Sequence, residues 1–326
     1  MFLSDNEDSP GSGNAKLRVL NGATTEAGSV DVYLSQNACS ALSTTDTAFA
    51  AAVAGPSAGA AFTTAYSQVS AASGGTSWNL CVTTSGDKST VLVDIPTFTL
   101  KDQEIATLIL TRTSGGFLLN AAVLDQQGSL QSFSNAIARV RVVSDAASAA
   151  TVSATVNNVV LASDAGAATV GSYMSVTAGA LSGTFAINDT QINGANLGSV
   201  TAGSDYTLLV TGTVGEPVFT LIADDNTPST SSSAPVKVRA VNGVNGVVGT
   251  VSASIDAKSV GSGLAFGSAS SYVNVPATSG TSTVRANAGT TTIAPLTDQS
   301  FTSAGVYTIF VLGDASAPQI IQSVDR

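Results

Sequence analysis

The sequence predicts an all-β chain of three tandem immunoglobulin-like antiparallel β-sandwich modules, and three observations carry that expectation. A strand word recurs three times: Arg18-Val-Leu-Asn-Gly22 with Val30-Asp-Val-Tyr-Leu34, Arg141-Val-Val-Ser-Asp145 with Val152-Ser-Ala-Thr-Val156, and Arg239-Ala-Val-Asn-Gly243 with Val251-Ser-Ala-Ser-Ile255. Each copy closes on a related apolar strand, Ala106-Thr-Leu-Ile-Leu-Thr111, Tyr206-Thr-Leu-Leu-Val-Thr211 and Tyr307-Thr-Ile-Phe-Val-Leu312. A repeat of roughly 100 residues is long enough to bury its own core, so the copies read as modules rather than solenoid units. Composition agrees. Hydrophobic residues make up 44% and charged residues only 10% of the chain, a balance that suits short strands joined by tight turns better than helices with charged outer faces.

Taken in order, residues 1–14 are acidic and rich in Gly and Ser, which predicts a flexible tether. No apolar stretch of signal-peptide character opens the chain. The first module is placed at 15–136 and carries roughly 20 residues more than the others. The excess falls at Ala48-Phe-Ala-Ala-Ala-Val-Ala-Gly55 and its Ala-rich continuation to Ala61, which Ala content alone would make a short helix. The second module is placed at 137–225 and the third at 234–326, with 226–233 as linker. In both, apolar runs return every 8 to 12 residues or so between Gly, Asn, Asp and Ser turns. The run Asp224-Asp-Asn226 reads as solvated linker rather than as a calcium loop, because no bidentate Glu follows at the required distance. Gly203 before Tyr206 and Gly305 before Tyr307 fit a tyrosine corner, in which the phenol bonds back to upstream backbone. Module one has Ala106 there instead.

Cys39 and Cys81 are the only cysteines, and both fall in the first module. An isolated pair in one module predicts a disulfide and an oxidising compartment, against the alternative of two buried thiols. Trp78, alternating with Leu80 and Val82, is expected in the core beside that disulfide rather than as an exposed platform. Tyr173 and Tyr272 recur in Gly-Ser-Tyr and Ser-Ser-Tyr settings and mark a shared structural position.

The net charge of −10, with 12 basic residues, works against binding nucleic acid or an anionic membrane. No apolar run reaches the roughly 18 residues of a spanning helix. With no histidine in the chain, Ser-His and Cys-His chemistry is closed and the commonest zinc ligand is missing. Gly55-Pro-Ser-Ala-Gly59 has the form G-x-S-x-G but no base partner, and Ser85-Gly-Asp-Lys88 and Ser4-Asp-Asn6 match S-x-x-K and S-D-N with K-T-G absent and the order reversed. Ser85-Gly86 reads instead as a hairpin turn. Asn188-Asp-Thr190 is a glycosylation sequon, and Asp31, whose counterparts are Ser153 and Ser252, is no shared ligand. No catalytic, cofactor-binding or metal residue is assigned.

The ordered words R-V-x-N (Arg18 to Asn21), V-D-V-Y (Val30 to Tyr33), G-S-x-S-Y-x-x-V (Gly267 through Tyr272 to Val275, with one extra residue) and A-G-x-x-Y-T (Ala202 to Thr207) resemble an uncharacterised bacterial family, a domain of unknown function found in tandem in exported proteins and lipoproteins. The resemblance implies an extracytoplasmic β-sandwich and supplies no activity and no functional residues. The expected function is therefore a non-enzymatic structural or adhesive protein of the bacterial cell surface, a candidate filament or surface-layer subunit. It would associate with itself through β-edges or with cell-envelope components. Ala15 to Leu20 is the expected edge, with Lys16 and Arg18 on one face. The alternative is a glycan- or ligand-binding module that uses the insertion Asn37 to Tyr66.

Overall fold

A computed structural model describes residues 7–23, 28–56, 62–71, 77–113, 115–126, 128–229 and 233–326. The described chain is almost entirely strand and turn, with a single 3-10 turn at Cys39–Ala41. It divides into two compact units: residues 1–138 with 201–204, and residues 139–200 with 205–326.

In unit 1 the strands are β1 (Asn14–Asn21), β2 (Val30–Ser35), β3 (Ala50–Val53), β4 (Ser67–Ser70), β5 (Ser77–Thr84), β6 (Asp87–Thr99), β7 (Ile105–Arg112), β8 (Leu119–Asp125) and β9 (Leu130–Phe133). They form two sheets, β4-β1-β7-β8-β9 and β3-β2-β5-β6. Leu17, Val19, Leu108 and Leu110 of the first sheet meet Val30, Val32, Leu80, Val82 and Trp78 of the second in one core. The alternation of small apolar and polar residues along each strand produces this, because only every second side chain faces the partner sheet.

Unit 2 contains β10 (Ile137–Ala146, entering from residue 139), β11 (Val152–Val156), β12 (Val159–Ala165), β13 (Thr169–Val170), β14 (Met174–Thr177), β15 (Gly179–Ala180), β16 (Gly183–Ile187), β17 (Thr190–Ile192), β18 (Ser199–Val200), β19 (Asp205–Gly212) and β20 (Pro217–Asp224) in its first half. Its second half contains β21 (Val236–Asn242), β22 (Val251–Ile255), β23 (Lys258–Leu264), β24 (Val273–Val275), β25 (Thr278–Ala288), β26 (Thr291–Thr292), β27 (Leu296–Phe301), β28 (Val306–Leu312) and β29 (Gln319–Val324). The halves use matching sheets: β13-β10-β19-β20 and β12-β11-β16-β17 in the first, β24-β21-β28-β29 and β23-β22-β25-β26 in the second.

Ladders are antiparallel except for one parallel pair of the same kind in each region. β1 runs parallel to β7, β10 to β19 and β21 to β28, with Arg18 opposite Thr107, Arg141 opposite Thr207 and Arg239 opposite Thr308. Turn chemistry fixes the hairpins. Asn157-Asn158 and Asn188-Asp189 both hold positive φ at their two central residues, and the flanking strands pair directly as Val156 with Val159 and Ile187 with Thr190. Two-residue hairpin loops favour that backbone, and Asn and Asp tolerate it. Asn188 of the sequon is thus a turn residue.

Two expectations are corrected here. Ala50–Val53 is a strand paired with β2, not a helix, and buries Ala50 and Val53 while exposing Ala51 and Ala52. An open ladder edge on β2 outweighs Ala's intrinsic helix preference over so short a stretch. Residues 57–61 of that expectation lie outside the described ones. The segment Ala15 to Leu20 is no edge, because β1 lies between β4 and β7 and both its backbone edges are engaged. Part of the expected tether, residues 7–13, touches the body of unit 1: Lys16 pairs with Glu7 at 2.9 Å and Gly13 N–H donates to Asp102.

Candidate functional site: a reciprocal arginine–aspartate exchange

The densest set of buried ionisable side chains lies in unit 2, where the two halves face each other. It begins with Arg141 and Arg239, which project from the outer faces of β10 and β21 at the register of Thr207 and Thr308. Arg141 Nε donates to Thr207 Oγ1 at 2.9 Å, and Arg239 Nε to Thr308 Oγ1 at 3.2 Å. Both guanidinium groups are almost fully buried, at 1% and 2% exposure.

Each arginine is neutralised by the opposite half. Arg141 Nη1 donates to Asp325 Oδ1 at 2.6 Å, while Arg239 Nη2 donates to Asp224 Oδ1. The acceptors stand at the end of the last strand of each half, Asp224 as the final residue of β20 and Asp325 just after β29, and each also takes a hydrogen bond from the threonine of its own half: Thr207 Oγ1 to Asp224 at 2.7 Å, Thr308 Oγ1 to Asp325 at 2.5 Å. One half's arginine therefore ends on the other half's aspartate, and the reverse holds too. This is the pattern of an isologous contact within one chain. Tyr173 and Tyr272 cover the arginines, their rings 4.5 Å from Arg141 Cζ and 4.9 Å from Arg239 Cζ. Tyr173 also donates its hydroxyl to Asp224 at 2.6 Å.

Electrostatics follow from this closed arrangement. Burial disfavours both guanidinium charges, but Asp325 for Arg141 and Asp224 for Arg239 hold them more firmly protonated than usual. Burial, reinforced by Asp224, pushes both phenols up, so Tyr173 and Tyr272 stay neutral. Beside the exchange, Arg139 grips the buried Asp205 through Nε and Nη2, at 2.9 and 2.5 Å, and Asn226 Nδ2 donates to the same carboxylate. A cavity of about 490 Å³ adjoins Arg139, Arg141, Tyr173 and Ser323.

An apolar and polar seam extends the contact. Val143 and Leu209 of the first half pack on Val241, Phe310 and Leu312 of the second. Gly243 lies on this seam: a Cβ there would stand 3.4 Å from Asp145 Oδ2 and Leu209 Cδ1 of the first half and would crowd the Leu312 methyl of its own half at 2.7 Å. Asp145 accepts the N–H of Gly313 at 2.8 Å and of Ala168 at 3.1 Å; Asn245 joins Asp145 O to the N–H of Gly212. Burial, with Asp314 adding to it, pushes the Asp145 carboxyl up to about 6 despite those donors.

The sequence-predicted residues fall as follows. Cys39 and Cys81 are bonded, buried with Tyr33 and packed by Leu42, Ala48 and Val91. Trp78 is a core residue as expected, but it faces the main core with Leu80 and Val82, while Cys81 points from the other side of β5. Alternation along the strand makes the two incompatible as neighbours. Asp224 and Asn226 are buried rather than solvated linker, because Asp224 closes the Arg239 pair and Asn226 serves Asp205. Tyr307 Oη accepts the Thr302 N–H at 2.8 Å, the bond expected of the corner. Ser85-Gly86 forms the β5–β6 hairpin turn, whose Ser85 hydroxyl and Gly86 N–H both donate to Asp31 at 2.9 Å. Burial alone would raise Asp31, but the Ala52 and Gly86 N–H groups and Ser85 hold it below the usual carboxylate range. Ser57, Gly59 and Ser4 to Asn6 lie outside the described residues.

Sequence reasoning missed Tyr66, Thr107, Thr207, Thr308 and Asp325. Tyr66 stacks on Arg18 at 4.6 Å, as Tyr173 and Tyr272 do on their arginines, and Arg18 Nε donates to Thr107 at 2.8 Å. It also missed a carboxyl pair beside a cavity of about 420 Å³ in unit 1, Glu104 with Asp125. Burial and the neighbouring Asp125 carboxyl push Glu104 up to about 7, while Glu104 holds Asp125 below the usual carboxylate range. Among the described residues no cluster of three or more His, Cys, Asp or Glu side chains could hold a metal, and no helix is long and apolar enough to cross a membrane.

Residues 138–246 match a family described as Domain of unknown function (DUF4397). The matched span runs from β10 through β21 and holds one complete exchange, Asp224 with Arg239. No curated protein matches the chain.

Proposed function

We propose that this chain is a non-enzymatic structural or adhesive protein of the bacterial cell surface, built of three tandem immunoglobulin-like β-sandwich modules. One observation carries the reading: four buried ionisable groups of unit 2 are used in joining its two halves. Arg141, Arg239, Asp224 and Asp325 neutralise each other across the contact. Buried charges in an active site are arranged to face a reactant, whereas these four are paired with one another. The repeated Arg–Thr register in three parallel strand pairs supports the modular reading, and the Cys39–Cys81 bond supports an oxidising location.

Protease shaving of intact cells, with electron microscopy of native material, tests this. Loss of the protein from shaved cells, and fibres or layers that contain it, are the expected results; protection inside unlysed cells would refute the surface assignment. A ligand-binding reading has one observation of its own. Phe49 and Trp78 line a cavity of about 300 Å³ with Leu34, Thr47 and Val69, beside the insertion. Binding on a glycan array that is lost in Phe49→Ala would favour it.

A further inference from the structure

The outer face that seals the two halves of unit 2 has a counterpart in unit 1. Register makes the equivalence explicit: Leu20 stands where Val143 and Val241 stand, Ile109 where Leu209 and Phe310 stand, and Leu124 where Ile222 stands. In unit 2 the residues Val143, Leu209, Val241 and Phe310 are each 0% exposed. In unit 1 Leu20, Ile109, Ala122 and Leu124 remain half-exposed, and Thr111, the counterpart of Leu312, is exposed. Gly22 occupies the place of Gly243, and a Cβ there would stand 2.9 Å from Leu110 O and 3.4 Å from a Leu20 methyl.

We infer that this face of unit 1, formed by β1, β7 and β8, docks against the same face of a second copy of the chain. The occupant is argued from two features. The equivalent faces in unit 2 are covered by a face of their own design, and a second copy supplies that design with the twofold geometry already realised there. The other feature is Gln126, which takes the register position of Asp224 and Asp325, because its N–H bonds Ile105 O as that of Asp325 bonds Val306 O. Its Oε1 is buried without a hydrogen-bond partner. In unit 2 the oxygen at that position receives a donor from the opposite half, so a donor from a second copy would serve Gln126. A neutral amide there also leaves no buried carboxylate stranded when the copies separate, which suits a reversible contact.

The inference rests on the self-associating reading above and narrows it from sheet edges to one sheet face. Sedimentation velocity of the full chain from about 1 to about 100 μM should show a dimer that dissociates in the micromolar range. Ile109→Glu should abolish it, and Thr111→Lys, at an exposed position, should weaken it at least about tenfold with an unchanged circular-dichroism spectrum. Thr111→Leu, which restores the apolar residue found at 312, should tighten it several-fold, a gain that misfolding cannot imitate. A chain that stays monomeric at every concentration, with Thr111→Leu monomeric too, overturns the inference. A dimer indifferent to Ile109→Glu and Thr111→Lys also overturns it, by placing the contact on another surface, yet leaves self-association intact. Surface location, read by protease shaving, stands or falls separately.

Discussion

Unit 1 and the halves of unit 2 start from the same strand grammar and stabilise themselves by different means. Unit 1 closes internally: a disulfide joins residues 42 apart in sequence, the Ala-rich strand adds to the β2 edge, and Gln126 follows its β8 strand. In unit 2 the corresponding ends are Asp224 and Asp325, and each half takes its missing counter-charge from the other. One acid-to-amide difference at a single register position therefore leaves unit 1 without the carboxylate by which each half of unit 2 holds the other's arginine.

The largest expected effect sharpens that contrast. Asp325→Ala should destabilise unit 2 by about 3–5 kcal/mol, because it leaves the buried Arg141 without its counter-charge. The replacement Arg141→Met with Asp325→Leu should cost less than the sum of the single changes, as a double-mutant cycle in urea would show. Next in size, Cys39→Ala with Cys81→Ala should cost unit 1 about 2–4 kcal/mol while the unfolding midpoint of unit 2 stays put. Movement of both midpoints together would mean that the units unfold as one.

Smaller effects come from proton linkage, with a different pH window in each unit. Asp145 titrates near 6 when folded and near 3.8 when unfolded, so the native state binds the extra proton between those values. Stability of unit 2 should fall as pH rises from about 4 to about 6, and Asp145→Asn should flatten that slope in pH-dependent melting curves. Glu104, near 7 folded against 4.5 unfolded, gives unit 1 the same sign over a higher window. Because Glu104 is half solvated, its slope should be the shallower of the two. Glu104→Gln should remove it; an unchanged slope in that variant would show that the extra proton does not sit on Glu104.

The β class, the disulfide and the structural standing of Tyr173 and Tyr272 were legible because each follows from local pattern: small apolar alternation, a lone cysteine pair, a recurring tripeptide. The exchange was not legible. Arg141 and Arg239 stand out as repeated residues, but Asp224 sits in a polar run that looks like linker, and Asp325 belongs to no repeated word. Their roles depend on which sheet faces meet, and strand-by-strand reading carries no information about that. The interior place of β1 was hidden for a similar reason, since its two neighbours, β4 and β7, come from distant sequence. The strand at Ala50–Val53 shows pairing overriding propensity where only a few residues are involved.

The two ion pairs of unit 2 close over very unequal stretches of chain. Asp224 and Arg239 are separated by 15 residues, whereas Arg141 and Asp325 are separated by 184. On a ribosome that adds about 5–20 residues per second, Arg141 is synthesised roughly 10–40 s before its partner exists. The first half of unit 2 must pass that interval with Arg141 lacking its ion-pair partner and, until Val241, Phe310 and Leu312 are made, with its Val143–Leu209 face open. The nascent chain thus has a timed period of exposure, in which a holdase or an export factor can engage a surface that the finished protein no longer offers.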